Sequence, residues 1–255
     1  MKKKTIIASL ALLLAVGTMV YAGAYLVETK QIYQEGNTLY EDLRGSVRVS
    51  AATDLTAQHR QADQSNTPLG IPKPEISFEA LRSINKDAVA WLFSQNTVID
   101  YPVMRADDYS YYLEHLPDGT KNANGSLFID YNCASDFSDQ LTVIYGHHMK
   151  SGSMFGSLTK YKNQRYYEEH PFLYLYTEKE NYRIELIYGF VIDAEQWREQ
   201  EFMYEANVEK LLAYAADNTT FKSGVKYKEA DRAAALSTCS YEFDDARYVV
   251  IGILR

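Results

Sequence analysis

The sequence predicts a mainly β protein, a closed or nearly closed barrel carried on a single N-terminal transmembrane helix. Three observations predict it. An uncharged, mostly apolar run from Ile6 to Val27 follows Met1-Lys2-Lys3-Lys4. From Ala90 onward, short β-branched and aromatic runs alternate with turn-rich pieces. Few helical patterns interrupt them, and many short strands with a few helices at their edges suit closure, which leaves no exposed edge strand.

Length and charge bound the rest. At 255 residues the chain has room for one good-sized domain plus appendages. Its formal charge is −8, and lysines and arginines form no sizeable cluster beyond Lys2 to Lys4. Nucleic acid is therefore a poor partner, since phosphate binding needs a basic face. The 22 tyrosines against 10 phenylalanines fit half-buried strand surfaces and groove walls, a scaffold role more often than a site.

As a helix, the run Ile6–Val27 rises about 1.5 Å per residue and reaches about 33 Å, enough to cross a bilayer core. The three lysines ahead of it stay in the cytoplasm, so the remainder lies outside. A cleaved signal peptide is the rival, because Ala22-Gly23-Ala24 resembles a cleavage site. The run exceeds the roughly 7–15 residues of a signal core, which favours an uncleaved anchor. From Glu28 to Arg48, spaced apolar residues (Ile32, Leu39, Leu43, Val47) in a polar sequence predict a helical stalk. Ala57 to Pro74, rich in Gln, Asn, Asp, Ser and Pro, predicts a linker. The expected organisation is a cytoplasmic tip and transmembrane signal anchor over 1–27, a stalk and linker over 28–75, and a folded domain over 76–255.

Within that domain Ile76 to Ile84 predicts a short amphipathic helix. Strands are predicted at Ala90–Phe93, Val98–Val103, Ser126–Ile129 and Leu141–Tyr145, with turns such as Pro117-Asp118-Gly119 and Asn122-Ala123-Asn124-Gly125 between them. Phe172–Thr177 and Tyr182–Ile192 predict a hairpin turning at Glu178-Lys179-Glu180-Asn181. Val208 to Asn218 predicts a helix with Val208, Leu211, Leu212 and Ala215 on one face. The last strands are Ala233–Cys239 and Arg247–Leu254.

Those last strands carry chemistry. The run Ala235-Leu236-Ser237-Thr238-Cys239 ends on a thiol, and Arg247 opens the next run, so adjacent strands would hold thiol and guanidinium side by side. Leu141–Tyr145 leads through Gly146 into His147 and His148. Cysteine, histidine and arginine at strand ends are the parts of a thiol acyl-transfer site. Taken singly, each has a plainer reading: a strand-end cysteine packs, a histidine after glycine serves a turn, and an arginine opening a strand is a solvated edge. A His-His pair also suggests a metal, but no third ligand lies nearby at helical or hairpin spacing. The other cysteine, Cys133, sits in the polar stretch Asp130 to Asp136, which predicts a loop. An exported chain could join Cys133 to Cys239 in a disulfide. There is no Cys-x-x-Cys, so neither a redox motif nor a zinc knuckle is expected.

Together these segments resemble the sortases, and class B most closely. The resemblance rests on Leu236-Ser237-Thr238-Cys239, Tyr145-Gly146-His147-His148-Met149 and Arg247-Tyr248-Val249-Val250-Ile251. It extends in order through Asn85 to Leu92, Ile99 to Val103, Gly125 to Tyr131 and Ser153 to Gly156, covering about Ile76 to Arg255. One departure is Ala235, where the family usually has threonine.

The resemblance implies an eight-stranded barrel with N-terminal helices and a helix between the sixth and seventh strands, for which Val208–Asn218 is the candidate. It implies a membrane-anchored cysteine transpeptidase of a Gram-positive-type bacterium. Such an enzyme cuts a C-terminal sorting motif of a secreted protein after threonine. It then joins that threonine to an amine of the cell-wall precursor or to a pilin lysine. By carry-over Cys239 is the nucleophile, His147 the general acid and base, and Arg247 the group that holds the donor and steadies the oxyanion. Ser237 and Thr238 are accessory candidates. No cofactor and no metal are implied. Two other functions compete. A thiol hydrolase of cell-wall peptides normally places its cysteine before its histidine and at a helix N-terminus, the reverse of this order. A non-catalytic anchored surface module would have no need of all three residues.

Overall fold

The computed structural model of the protein describes residues 2–48, 76–105, 107–198 and 208–255. Eight strands run β1 (Ala88–Phe93), β2 (Asp100–Arg105), β3 (Leu127–Ile129), β4 (Leu141–Tyr145), β5 (Phe172–Thr177), β6 (Asn181–Asp193), β7 (Ala233–Cys239) and β8 (Ala246–Leu254). They close in the order β1-β2-β3-β4-β7-β8-β6-β5, with β5 pairing back to β1. Two neighbours are parallel, β2 with β3 and β4 with β7, and the others are antiparallel. Every predicted strand is present, with ends moved by a residue or two.

Among the described residues the α-helices are α1 (Lys2–Val47), α2 (Phe78–Ile84), α3 (Gln164–Glu169), α4 (Ala194–Arg198) and α5 (Val208–Asn218). Ser77 caps α2, its side chain accepting from Ala80 N at 3.2 Å. α3 and α4 escape sequence reading because one or two turns are too short to show a 3.6-residue period. α4 starts directly at the end of β6, where Asp193 Oδ1 accepts from the Glu195 and Gln196 amides at 2.8 and 3.2 Å. The predicted linker lies outside the described residues.

α1 has two characters along one continuous helix. Its first half exposes Leu12, Leu13, Leu14, Met19 and Val20, and the helix from Leu12 is long and apolar enough to cross a bilayer. Its second half is docked. Gly36, Tyr40, Leu43 and Val47, spaced four, three and four apart, are buried on the barrel. Each of the three large ones gains roughly 1.5–3 kcal/mol over an exposed position. Arg44 Nε adds a bond to Asp100 O at 3.1 Å, and Arg48 pairs with the Asp100 carboxylate. The segment expected as a stalk is therefore part of the folded unit at its C-terminal end.

Two apolar clusters sort the strand residues by face. Ile144, Ala234, Leu236, Tyr248 and Val250 belong to the cluster that fills the barrel. Val143, Ala233, Ala235, Val249 and Ile251 belong to a second, shared with Trp197 of α4 and with Val208, Leu211, Leu212 and Ala215 of α5. β7 is thus covered on both faces, which is why it reads as a continuous apolar run. Ala235 is fully buried in this outer cluster.

Candidate active site

The site sits where β4, β7 and β8 end together. Parallel pairing sets Tyr145 against Ser237 as the last register pair of β4 and β7. Two residues further along each chain stand His147 and Cys239. Gly146 N donates to Ser237 O at 3.2 Å, and Thr238 Oγ1 donates to Gly146 O at 2.8 Å, locking the two strand ends. On the other side of β7, Cys239 is the register partner of Arg247 on β8. Gly146 is required by crowding, since a Cβ there would lie 2.4 Å from Leu127 Cδ2 and 2.8 Å from Phe155 Cδ2.

Side-chain alternation decides the face. His147 shares parity with Val143, Cys239 with Ala235, and Arg247 with Val249, all members of the outer cluster. The three polar residues continue that face beyond the helical cover. There they line one cavity with Ser237, Thr238, Tyr109, Leu113, Phe128, Tyr145, Ala194, Trp197 and Arg198. All five sequence-predicted site residues are in its wall. Cys239, His147 and Arg247 are each half-buried.

The two histidines part company here. His147 Nε2 lies 2.7 Å from Leu113 O. A carbonyl only accepts, so Nε2 carries the hydrogen and, in the neutral ring, Nδ1 is the nitrogen with the lone pair. His148 Nδ1 lies 2.7 Å from Cys239 O and donates to it, while its ring packs on Tyr241. It brackets the backbone of Cys239 and is not among the cavity's lining residues.

Arg247 Nη1 donates to Asp245 O at 3.1 Å and Ala246 O at 3.0 Å. Among the described residues its Nε and Nη2 have no acceptor, so the guanidinium is oriented yet retains donors. Thr238 spends its hydroxyl on Gly146. Ser237 Oγ is buried with no hydrogen-bond partner among the described residues, and an unpaired buried hydroxyl is a costly group unless a ligand meets it.

Cys133 stands apart. Its segment is the loop the sequence predicts, and its thiol is buried 3.7 Å from Leu141 O. Burial pushes that thiol up to about 11. Both cysteines are free. Among the described residues no group of three His, Cys, Asp or Glu side chains is arranged to hold a metal ion.

Sequence reasoning missed the groups that shape the cavity around the reactive ends. Leu113 acts through its carbonyl, which leaves no side-chain signal. Tyr109 and Tyr145 both donate to the buried Asp130 carboxylate, at 2.9 and 3.0 Å. Tyr145 directly precedes the Gly-His pair and could have been found; Tyr109 comes from a loop far away in sequence.

The chain resembles known proteins over most of its length. No family model matches it. A curated relative, Sortase B of Listeria monocytogenes, is 32% identical over 241 residues, 93% of this chain and 94% of the relative. The solved structure of sortase B from B. anthracis is 26% identical with a TM-score of 0.70, over 88% of this chain and 98% of that one. A Staphylococcus aureus sortase B–substrate complex is also 26% identical, with a TM-score of 0.64 over 70% of this chain and 84% of that one.

Proposed function

The chain belongs to the class B sortases, a family of cysteine transpeptidases, and from that membership we propose that it cuts a C-terminal sorting motif of secreted proteins after threonine. It passes the acyl group to an amine of the cell-wall precursor or to a pilin lysine. Cys239 is the nucleophile, His147 the general acid and base, and Arg247 the oxyanion and donor-binding group. The observation that supports this most is that β4, β7 and β8 bring these three side chains to one cavity.

The chemistry follows from the groups. The Cys239 thiolate attacks the threonine carbonyl carbon, and the carbonyl oxygen becomes an oxyanion. Arg247, with donors in reserve, meets that charge where it develops, an interaction worth on the order of 3 kcal/mol. Collapse breaks the C–N bond, and imidazolium at His147 Nδ1 gives its proton to the leaving amine. The thioester is then attacked by the acceptor amine, whose proton neutral Nδ1 takes. Ser237 supplies a hydroxyl to the peptide backbone in the cavity, which relieves its lack of a partner. Thr238 serves the site by holding Gly146.

We place residues 1–27 as a cytoplasmic tip and signal anchor, 28–75 as a stalk, docked on the barrel through Tyr40, Leu43 and Val47, with a linker after it, and 76–255 as the catalytic domain outside the membrane. The apolar exposed first half of α1 supports the anchor. A solved relative is a sortase B–substrate complex, which supports a substrate-binding role for this chain. Mass spectrometry of the chain incubated with a library of sorting peptides tests the reading. An acyl adduct on Cys239, cleaved after threonine and released by an added amine, is the expected result. Adducts on Cys133 only, or none with any peptide, would overturn it.

A further inference from the structure

The docked half of α1 reaches the histidine. Tyr40 is 1% exposed, and burial raises its phenol well above the usual tyrosine value, so its hydroxyl keeps its proton and donates. It donates to Gly125 O, with Ser126 Oγ 3.3 Å away. Gly125 lies directly against the imidazole and its anchor. A Cβ at this residue, whose φ is +57°, would stand 2.6 Å from Leu113 O and 3.0 Å from His147 Cδ2. Ser126 N donates to Tyr112 O at 2.8 Å, fixing the residue before Leu113. The acceptor of His147 Nε2–H is thus set by a loop whose tip Tyr40 holds.

A second route leaves the same side chain. The Tyr40 ring meets Tyr101 edge-on, with centroids 5.0 Å apart. Tyr101 OH accepts from Met154 N at 3.2 Å. Met154 bridges to His148, and Phe155 N donates to His147 O at 3.0 Å. The turn carrying the histidine backbone is braced from the same helix.

We propose that Tyr40 is a positioning residue for His147, so that α1 completes the active site as well as anchoring the chain. This rests on His147 being the acid–base group. Docking alone does not need the hydroxyl. Leu43, Val47 and the contact of Gly36 with Asn124, where a Cβ would fall 2.3 Å from Nδ2, hold the helix away from His147.

The test uses the full chain in detergent micelles, with sorting-peptide cleavage and the imidazole N–H proton signal of His147 as readouts. Tyr40→Phe keeps the ring and removes the donor. It should lower kcat about tenfold with KM changed less than about twofold, because a misplaced acid–base group costs turnover more than binding. The Nε2–H signal should fade as Leu113 O loosens its hold. A lower Tm with kcat and the N–H signal unchanged would show a merely structural role and overturn the proposal. His147→Asn, run alongside, separates the failures. If it is active, the reading of His147 falls. If it is dead while Tyr40→Phe behaves as the parent, only the role of Tyr40 falls. Should Tyr40→Phe fail to fold, Gly36→Ala displaces the helix from Asn124 with Tyr40 intact. It must show the same loss of kcat, and unchanged kcat would overturn the proposal.

Discussion

Cys239 and Arg247 face each other as the last register pair of the β7–β8 ladder. Ser240 N donates to Ala246 O at 2.8 Å immediately beyond them, and Glu242 of the connecting turn pairs with Lys162 from another part of the chain. The spacing of thiol and guanidinium is therefore a property of the sheet. A substitution at either position changes chemistry while leaving the frame in place.

Arg247→Lys tests that frame. Lysine keeps the charge but loses the planar fork that binds Asp245 O and Ala246 O and, in the proposed reaction, would meet the oxyanion as well. Peptide cleavage should fall at least about tenfold in kcat/KM, or about 1.4 kcal/mol. A fully active lysine variant would remove Arg247 from its role.

The two thiols should differ completely. Cys239→Ala abolishes cleavage and leaves the barrel folded, whereas Cys133→Ala keeps most activity. With its thiol pushed up to about 11 by burial, Cys133 stays protonated at neutral pH and resists alkylation. Peptide mapping after brief iodoacetamide treatment should find the label on Cys239, and equal labelling of both would count against the assignment.

The neighbouring histidines should separate as sharply. His147→Asn removes the Nδ1 proposed as the acid–base atom, and kcat should drop by at least about a hundredfold, within the range for general acid–base groups. His148→Asn loses the bracket on Cys239 O and the ring contact with Tyr241, and should cost a few-fold. Single-turnover kinetics on both variants decides, and the reverse order would exchange their roles.

Activity should survive a strong chelator. The thiol must be free to form a thioester, and His148 Nδ1 is committed to a backbone carbonyl. Inactivation by chelator with recovery on added zinc would overturn the mechanism.

Topology gives the last expectation. With Lys2 to Lys4 held inside, protease added to intact protoplasts should digest the domain over 76–255. Protection would reverse the orientation, and a mature N-terminus near Tyr25 would show cleavage.

The sequence by itself determined the strands, the long apolar N-terminal helix, α5 and the chemistry-bearing ends. Each of these is a local pattern: β-branched runs, an uncharged apolar run, a 3.6-residue period, and motifs that carry a family resemblance. It also put thiol and guanidinium on neighbouring strands, because a short hairpin leaves few other registers. Tertiary structure alone decided the rest. Parallel pairing of β4 with β7 placed His147 level with Cys239 across a gap of more than ninety residues that no local pattern bridges. Long-range packing buried Cys133 inside a polar-looking loop and docked Tyr40 behind Gly125. Bonds to the carbonyls of Leu113 and Cys239 gave adjacent histidines different surroundings. A backbone carbonyl carries no residue identity, so what it holds becomes visible only when the chain has folded.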